Sequence, residues 1–317
     1  MKTAAVVMQA PQALALDELE LDAAGEGDLV VDIDWSGIST GTEKLLWTGR
    51  MPMFPGMGYP LVPGYESVGR VVQAGPQARH KVGTTVFVPG ARCFGPVRGL
   101  FGGAAARLVV GDDRVYDVDA GLGEQAVLLA LAATAYHAVS CGGRKHPVNA
   151  PDLIIGHGVL GRLLARLTVA AGLPPPTVWE LDAVRSEGAR GYPVISPEAD
   201  TRRDYRAVYD VSGDVRIVDK AMPHLAKGGE IVLAGFYAEP VAFNFAPAFM
   251  REAHIRAAAE WQRPDMLAVK QLAEEGRLDL SGLITHRERA EHAAGAYRTA
   301  FSDMHCLKMV LDWKGCQ

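Results

Sequence analysis

One stretch constrains this chain more than any other: D-L-I-I-G-H-G-V-L-G at 152–161, followed at once by an amphipathic run at 162–171. The pattern reads as a buried β-strand (Leu153, Ile154, Ile155), a turn carrying Gly156, Gly158 and Gly161, and then a helix. Its spacing is that of a dinucleotide-binding fingerprint. Gly156 permits the tight turn, and Gly158 lets the backbone approach a pyrophosphate. Gly161 lets the helix lie close on the strand, so that phosphates meet its positive N-terminal end. In a chain with 35 Gly the same pattern also arises in a cofactor-free βα turn or an S-adenosylmethionine-type site. The strand before the turn and the helix after it favour the dinucleotide.

The following strand bears on which dinucleotide. After the prolines at 174–176 comes Thr177-Val178-Trp179-Glu180, a β-prone segment ending in a carboxylate. It lies about 20 residues past the glycine turn, where an acidic side chain accepts hydrogen bonds from the adenosine ribose hydroxyls and repels a 2′-phosphate. NAD is therefore expected over NADP. Asp182 is the competing carboxylate if the strand runs two residues longer, Arg185 leaves room for NADP, and a solvated strand-end charge is the plain reading of Glu180.

With 317 residues, 49% of them hydrophobic, the chain can bury two moderate cores. A net charge of −5 without a basic stripe argues against nucleic acid as a partner. The longest apolar run, 126–139, is short for a membrane span and contains Tyr136 and His137, so no integral membrane segment is expected. Pro11 and the acidic segment 17–22 interrupt the N-terminal apolar run, which resembles a first strand rather than a signal peptide. Cys93, Cys141, Cys306 and Cys316 have no C-x-x-C spacing and read as free thiols of a reducing cytoplasm.

Residues 1–122 are strand-rich, with short strands expected at 4–8, 28–35, 67–73, 85–88 and 106–110 and an irregular Met/Pro/Gly-rich loop at 48–63. From 123 to 263 β and α signals alternate. A helical run at 125–140 leads into the glycine turn; strands at 205–211 and 229–234 follow, with a helix at 218–225 between them. That alternation implies right-handed βαβ units and a doubly wound parallel sheet. The segment 264–317 carries two helical patterns, 265–275 and 288–301, and a strand at 306–312 expected to return to the first domain. The fold class is thus α/β, a β-barrel-like domain built from both chain ends with a nucleotide-binding domain between.

Several ordered blocks resemble the medium-chain dehydrogenase/reductase superfamily over nearly the whole chain. They are S-G-I-S-T-G-T-E at 36–43, P-G-Y-E-S-V-G-R-V at 63–71, A-A-T-A-Y-H-A-V at 132–139, the glycine turn, Ser212-Gly213, and L-I-T-H-R at 283–287. The resemblance implies a GroES-like β-barrel domain beside a Rossmann domain. It places NAD on Gly156, His157, Gly158, Val159, Leu160, Gly161, Glu180, Ser212 and Gly235, with Thr134 and Leu160 at the nicotinamide. Where zinc members carry their metal ligands, this chain has Ser39, Tyr65 and Ala130, which are poor ligands for Zn²⁺. No catalytic metal is expected. His80, His137 and His286 read as surface, substrate-contact and structural residues.

Without a Lewis acid, oxidation of an alcohol needs a side-chain path for the hydroxyl proton. Thr42 matches the relay hydroxyl of the zinc enzymes, and Tyr65 puts a phenol where the metal sphere would be. Glu43 and Glu66 match carboxylates near that sphere, and are read equally as orienting groups or as buried acids tied to backbone or arginine. The stretches 35–66 and 87–105 resemble most closely the branch of the superfamily that acts in bacteriochlorophyll biosynthesis. The implied substrate is a bacteriochlorophyllide-type macrocycle whose ring hydroxyethyl group becomes acetyl. Trp47, Met51, Met53, Phe54, Met57 and Tyr59 offer an apolar surface for it, or fill the loop's own small core. Arg50, Arg92 and Arg98 are candidates for its propionate. An NAD(P)H-dependent quinone or enone reductase and a non-enzymatic nucleotide-binding protein are the alternatives. The resemblance further implies a homodimer paired along the nucleotide-domain sheet.

Overall fold

The computed structural model describes residues 1–140 and 150–317; Cys141 lies outside the described residues. The chain divides into two compact units, one made of Met1–Ala130 and Ser281–Gln317, the other of Leu131–Leu280.

The first unit opens with β1 (Lys2–Ala10), β2 (Ala13–Glu20), β3 (Asp28–Ile38), α1 (Thr42–Thr48), β4 (Leu61–Val62) and β5 (Ser67–Ala74). It continues with β6 (Thr85–Val88), β7 (Arg98–Gly99), β8 (Arg107–Gly111), β9 (Tyr116–Asp117) and a 3₁₀ run, Ala120–Leu128, that leads into α2 (Leu129–Ser140). The second unit holds β10 (Leu153–Ile155), α3 (Val159–Ala170), β11 (Thr177–Trp179), α4 (Ala183–Ser186), β12 (Val194–Ile195) and β13 (Tyr205–Asp210). After these come α5 (Ile217–Ala221), β14 (Leu225–Leu233), α6 (Phe245–Met250), β15 (His254–Ala257) and α7 (Arg263–Glu274). The chain closes in the first unit with β16 (His286–Arg289), α8 (Ala293–Ser302) and β17 (Met309–Asp312).

In the first unit one sheet runs β2-β1-β4-β7 and a second runs β16-β17-β3-β5-β6-β9, with β8 also paired to β3. The returning strand β17 pairs antiparallel with β3, Met309 opposite Ile38 and Asp312 opposite Trp35, as the terminal apolar run led one to expect. The alternating strands of both sheets bury one continuous core that includes Val6, Val31, Ile33, Leu61, Leu108, Leu311 and Trp313.

The second unit is a parallel sheet ordered β12-β11-β10-β13-β14-β15. The order reverses between β10 and β13, and in sheets of this kind a ligand lies at the carboxyl ends of the two strands flanking the reversal. α3 packs Leu163, Leu164 and Leu167 inward, each worth about 1.5–3 kcal/mol on burial.

The unit boundaries fall at 130/131 and 280/281 rather than at 122/123 and 263/264. The 3₁₀ run after Ala120 packs on β3 and β5, which keeps it with the first unit. α7 stays with the second because Asp265, buried in its first turn, accepts from His137 Nδ1 at 2.7 Å and Ser140 Oγ at 2.9 Å. The acidic segment near 17–22 is largely strand. β2 alternates partly buried and exposed residues, and its acids pair across the hairpin with Lys2 and Gln9. The helix expected from 288 begins at Ala293, because 286–289 pairs with β17. Ala120–Ser140 is longer than the apolar run read from sequence. It is apolar enough by composition to cross a membrane, yet half of that stretch is packed inside and Gly123 breaks its helical dihedrals.

Candidate functional site

In the first unit the site grows from the end of β3 and the start of α1. Ser39 follows β3, and Gly49 stops α1 in a left-handed C-cap with φ 68°, so Thr42 and Glu43 sit in a single short helix. Ser39 Oγ and the Tyr65 hydroxyl are 2.7 Å apart, and Thr42 also hydrogen-bonds the phenol. Burial, followed by the nearby Glu66 charge, pushes the Tyr65 pKa well above the ordinary phenol value, so it stays a neutral donor.

Two carboxylates lie beneath this hydroxyl cluster. Glu43, 1% exposed, accepts from the Ser39 amide at 3.0 Å and from the Tyr297 hydroxyl at 2.6 Å. Burial raises it to about 7 against those two hydrogen bonds. Glu66 is 0% exposed and meets Lys308 Nζ at 2.6 Å, while Lys308 also donates to the Ile38 carbonyl at 3.2 Å. Burial raises Glu66 and the ammonium beside it lowers it. Its Oε1 has no hydrogen-bond partner. Glu66, fully buried and paired with Lys308, thus has no face open to a substrate.

The set of donors does not fit zinc. The Ser39 and Tyr65 hydroxyls bond each other, and Ala130 has no donor atom on its side chain. Among the described residues no three His, Cys, Asp or Glu side chains converge on one point. His80 is spent on Asp112 at 2.7 Å, His137 on Asp265, and His286 lies 3.4 Å from Asp303.

The apolar loop divides. Met51 is buried, and Trp47, Met57 and Tyr59 pack on the core, Trp47 against Phe301 at 6.4 Å between ring centroids. Met53 and Phe54 face solvent. Of the three arginines, Arg98 donates to the Tyr59 carbonyl, whereas Arg92 lines a separate cleft with Asp22, Asp28 and Arg114.

In the second unit the turn after β10 has the shape a dinucleotide needs. Gly156 has φ +104°, and a Cβ on Gly161 would lie 1.9 Å from the Gly156 carbonyl oxygen, while nothing approaches within 4 Å of one on Gly158. Gly158 is the N-cap of α3, so the amides of Val159, Leu160 and Gly161 have no carbonyl one turn back. Such an array takes up a pyrophosphate. Glu180 braces the turn: its Oε2 accepts from the His157 amide at 2.9 Å, and its Oε1 from the amides of Leu181 and Asp182 at 2.9 and 3.0 Å.

The His157 side chain is fully buried between the Arg185 carbonyl (2.6 Å) and the Tyr192 hydroxyl (2.9 Å). Burial lowers its pKa to about 4, so it is a neutral strut. Arg162, also buried, ties the same segment by donating to the carbonyls of Arg185 and Glu187. Across the sheet reversal, Asp210 organises the neighbouring strand ends. It accepts from Ser212 Oγ at 2.6 Å and from Tyr237, and its carbonyl takes the Gly235 amide at 3.0 Å. Thr134 lies half-buried on α2.

Sequence reading missed Lys308, Tyr297, Phe101 and Asp210. Lys308 left a trace, a lone cation inside the apolar run C-L-K-M-V-L, which a buried strand tolerates only with a partner. Phe101 packs on the Tyr65 ring edge to face, with centroids 5.5 Å apart.

The alcohol dehydrogenase GroES-like domain model matches residues 25–120. A 2-desacetyl-2-hydroxyethyl bacteriochlorophyllide A dehydrogenase of Cereibacter sphaeroides is 57% identical, with 99% of each chain covered. A protein of the same description from Rhodobacter capsulatus is 58% identical, again over 99% of each chain. Among solved structures, an alcohol dehydrogenase of Escherichia coli CFT073 with NADH superposes at a TM-score of 0.82 and 20% identity, over 98% of this chain and 99% of that one. A dehydrogenase of Sinorhizobium meliloti 1021 bound to NADP gives a TM-score of 0.80 at 20% identity, over 98% and 99%. The chain belongs to the medium-chain alcohol dehydrogenases, in the family of the bacteriochlorophyllide A dehydrogenases.

Proposed function

We propose that this protein oxidises the ring hydroxyethyl group of a bacteriochlorophyllide to acetyl, with NAD as hydride acceptor and without catalytic zinc. The observation that carries the reading is the hydroxyl cluster of Ser39, Tyr65 and Thr42, standing at the positions of the zinc ligands and the relay hydroxyl in a chain 57% identical to a dehydrogenase of that description.

Gly156, Gly158 and Gly161, with the first-turn amides of α3, hold the pyrophosphate. Glu180 takes the adenosine ribose, since its two oxygens keep lone pairs beyond those bonded to backbone amides. Thr134 and Leu160 contact the nicotinamide, and Ser212 and Gly235 close the crevice. The bound dinucleotide supplies the hydride acceptor. Tyr65, a neutral phenol, donates to the substrate oxygen and is oriented by Ser39. Thr42 accepts the hydroxyl proton and passes its own on to water. Each turnover thus breaks one C–H and one O–H bond, forms the C=O bond, and releases one proton. Glu66, clamped by Lys308, supports the site from behind the phenol.

The macrocycle lies against the exposed part of the 48–63 loop, Met53 and Phe54, with Arg98 toward its propionate. β15, an edge of its sheet, is the seam of a homodimer, and the reaction belongs to the cytoplasm. The test is turnover of hydroxyethyl bacteriochlorophyllide a with NAD, followed by the absorbance of both products. One NADH per acetyl group is expected. A protein that leaves the pigment unchanged with either nicotinamide dinucleotide would overturn the reading.

A further inference from the structure

The geometry points to Phe101 as the residue that selects a flat conjugated ring bearing a carboxylate arm; the inference rests on the pigment reading above. The Phe101 ring stands edge to face with Tyr65, at 5.5 Å and an interplanar angle of 84°, yet it remains 37% exposed. Its neighbour Leu100 is 5% exposed, and Phe87 and Phe94 are buried too. The core is therefore filled by other residues, and the outward side of the Phe101 ring is available beside the phenol that holds the reacting oxygen.

The backbone keeps it there. The amides of Leu100 and Gly102, one on each side, both donate to the Val62 carbonyl at 2.9 Å. A Cβ on Gly90 would lie 2.1 Å from the Phe101 carbonyl oxygen, and one on Gly102 would lie 1.9 Å from the Ala91 oxygen. Neither position accepts a larger residue without moving the segment, so the ring is presented with little conformational freedom left to lose on binding. Aromatic rings in such a position prefer offset stacking or edge contacts with a second π-system.

The carboxylate arm follows from Arg98, on β7 in the same segment. Arg98 pairs opposite Leu61, its side chain donates to the Tyr59 carbonyl at 3.3 Å, and it is exposed. Three residues of chain span at most about 10 Å of backbone, so Arg98 puts an exposed cation on the same short segment as Phe101. A small aliphatic alcohol would use neither group. A planar macrocycle with a propionate uses both.

The experiment titrates hydroxyethyl bacteriochlorophyllide a into wild type, Phe101→Ala, Phe101→Leu and Phe101→Trp, reading quenching of protein fluorescence and then KM and kcat. Phe101→Ala should weaken binding and raise KM by about 10- to 100-fold, Phe101→Leu by somewhat less, and Phe101→Trp should stay within about threefold of wild type. NADH affinity and the melting temperature should hold in all three, which separates ring contact from a folding defect. Wild-type binding with Phe101→Ala within twofold of it overturns this inference and leaves the pigment reading standing. Absence of pigment binding by wild type overturns both.

Discussion

The two units build their candidate sites from opposite materials. In the second unit the groups of the candidate site are backbone amides and missing side chains: Gly158 is open, Gly156 and Gly161 fit because they lack a Cβ, and Glu180 braces the turn through amides. In the first unit they are side chains stacked in depth, from the Thr42, Tyr65 and Ser39 hydroxyls down to Glu43, Glu66 and Lys308, the last three at most 1% exposed. A cradle of backbone amides depends little on any one side chain, whereas a buried polar stack depends on each of its members. Single substitutions should therefore be severe in the first unit and mild in the second.

The largest effect is expected at the top of the stack. Thr42→Val, nearly isosteric but without the hydroxyl, should lower kcat for the pigment alcohol by about 100- to 10,000-fold. NADH affinity, measured by fluorescence titration, should stay close to wild type. An equal loss in both would place Thr42 in the cradle and erase the contrast.

Next comes the base of the stack. Lys308→Met leaves the buried Glu66 carboxylate unpaired, a loss of about 3–5 kcal/mol in unfolding free energy by chemical denaturation. The double variant Glu66→Gln/Lys308→Met should recover part of it, because a buried pair replaced by neutral groups costs less than a buried lone charge. If Lys308→Met alone is neutral, the pair is not what holds this region.

Glu43 tests the same dryness through pH. Its native pKa of about 7 stands above the ordinary glutamate value of 4.5. Between those values the unfolded chain has released the proton and the native chain has kept it. Stability from this group is complete below pH 4.5, falls as pH rises, and is gone above about 7. The slope amounts to something of the order of 3 kcal/mol. Glu43→Gln can still accept from the Ser39 amide and, through its NH2, donate to the Tyr297 hydroxyl, and it should remove that part of the slope in thermal melts run from pH 5 to 8. An unchanged slope would assign it to another group.

The contrast also explains what the amino-acid sequence made legible. A backbone cradle leaves a spacing, so the glycine turn, the strand-end carboxylate of Glu180 and the strand alternation were readable, and the sheet came out parallel as the alternation implied. The burial of His157 was not readable, since its partners Arg185 and Tyr192 lie far along the chain. The buried stack leaves almost no local pattern. Lys308 is 242 residues from Glu66, and Tyr297 is 254 from Glu43, so only folding reveals either pair. The strand β2 was obscured because its alternation slips by one residue at Leu16 and Asp17, both partly buried, which breaks the period-two signal.

The smallest effect is expected in the cradle. Glu180→Ser removes a carboxylate that repels a 2′-phosphate, and should narrow the preference for NADH over NADPH by about tenfold in competitive titrations. Tighter binding of NADPH by wild type would show that Glu180 does not face the ribose.

The most direct test of the stack as a metal-free proton path is turnover of hydroxyethyl bacteriochlorophyllide a with NAD after exhaustive chelation, with zinc quantified in the same sample. The hydroxyls of Ser39, Tyr65 and Thr42 predict full activity with far less than one zinc per chain. One tightly held zinc per chain, with turnover abolished on its removal and restored on its return, would contradict the account.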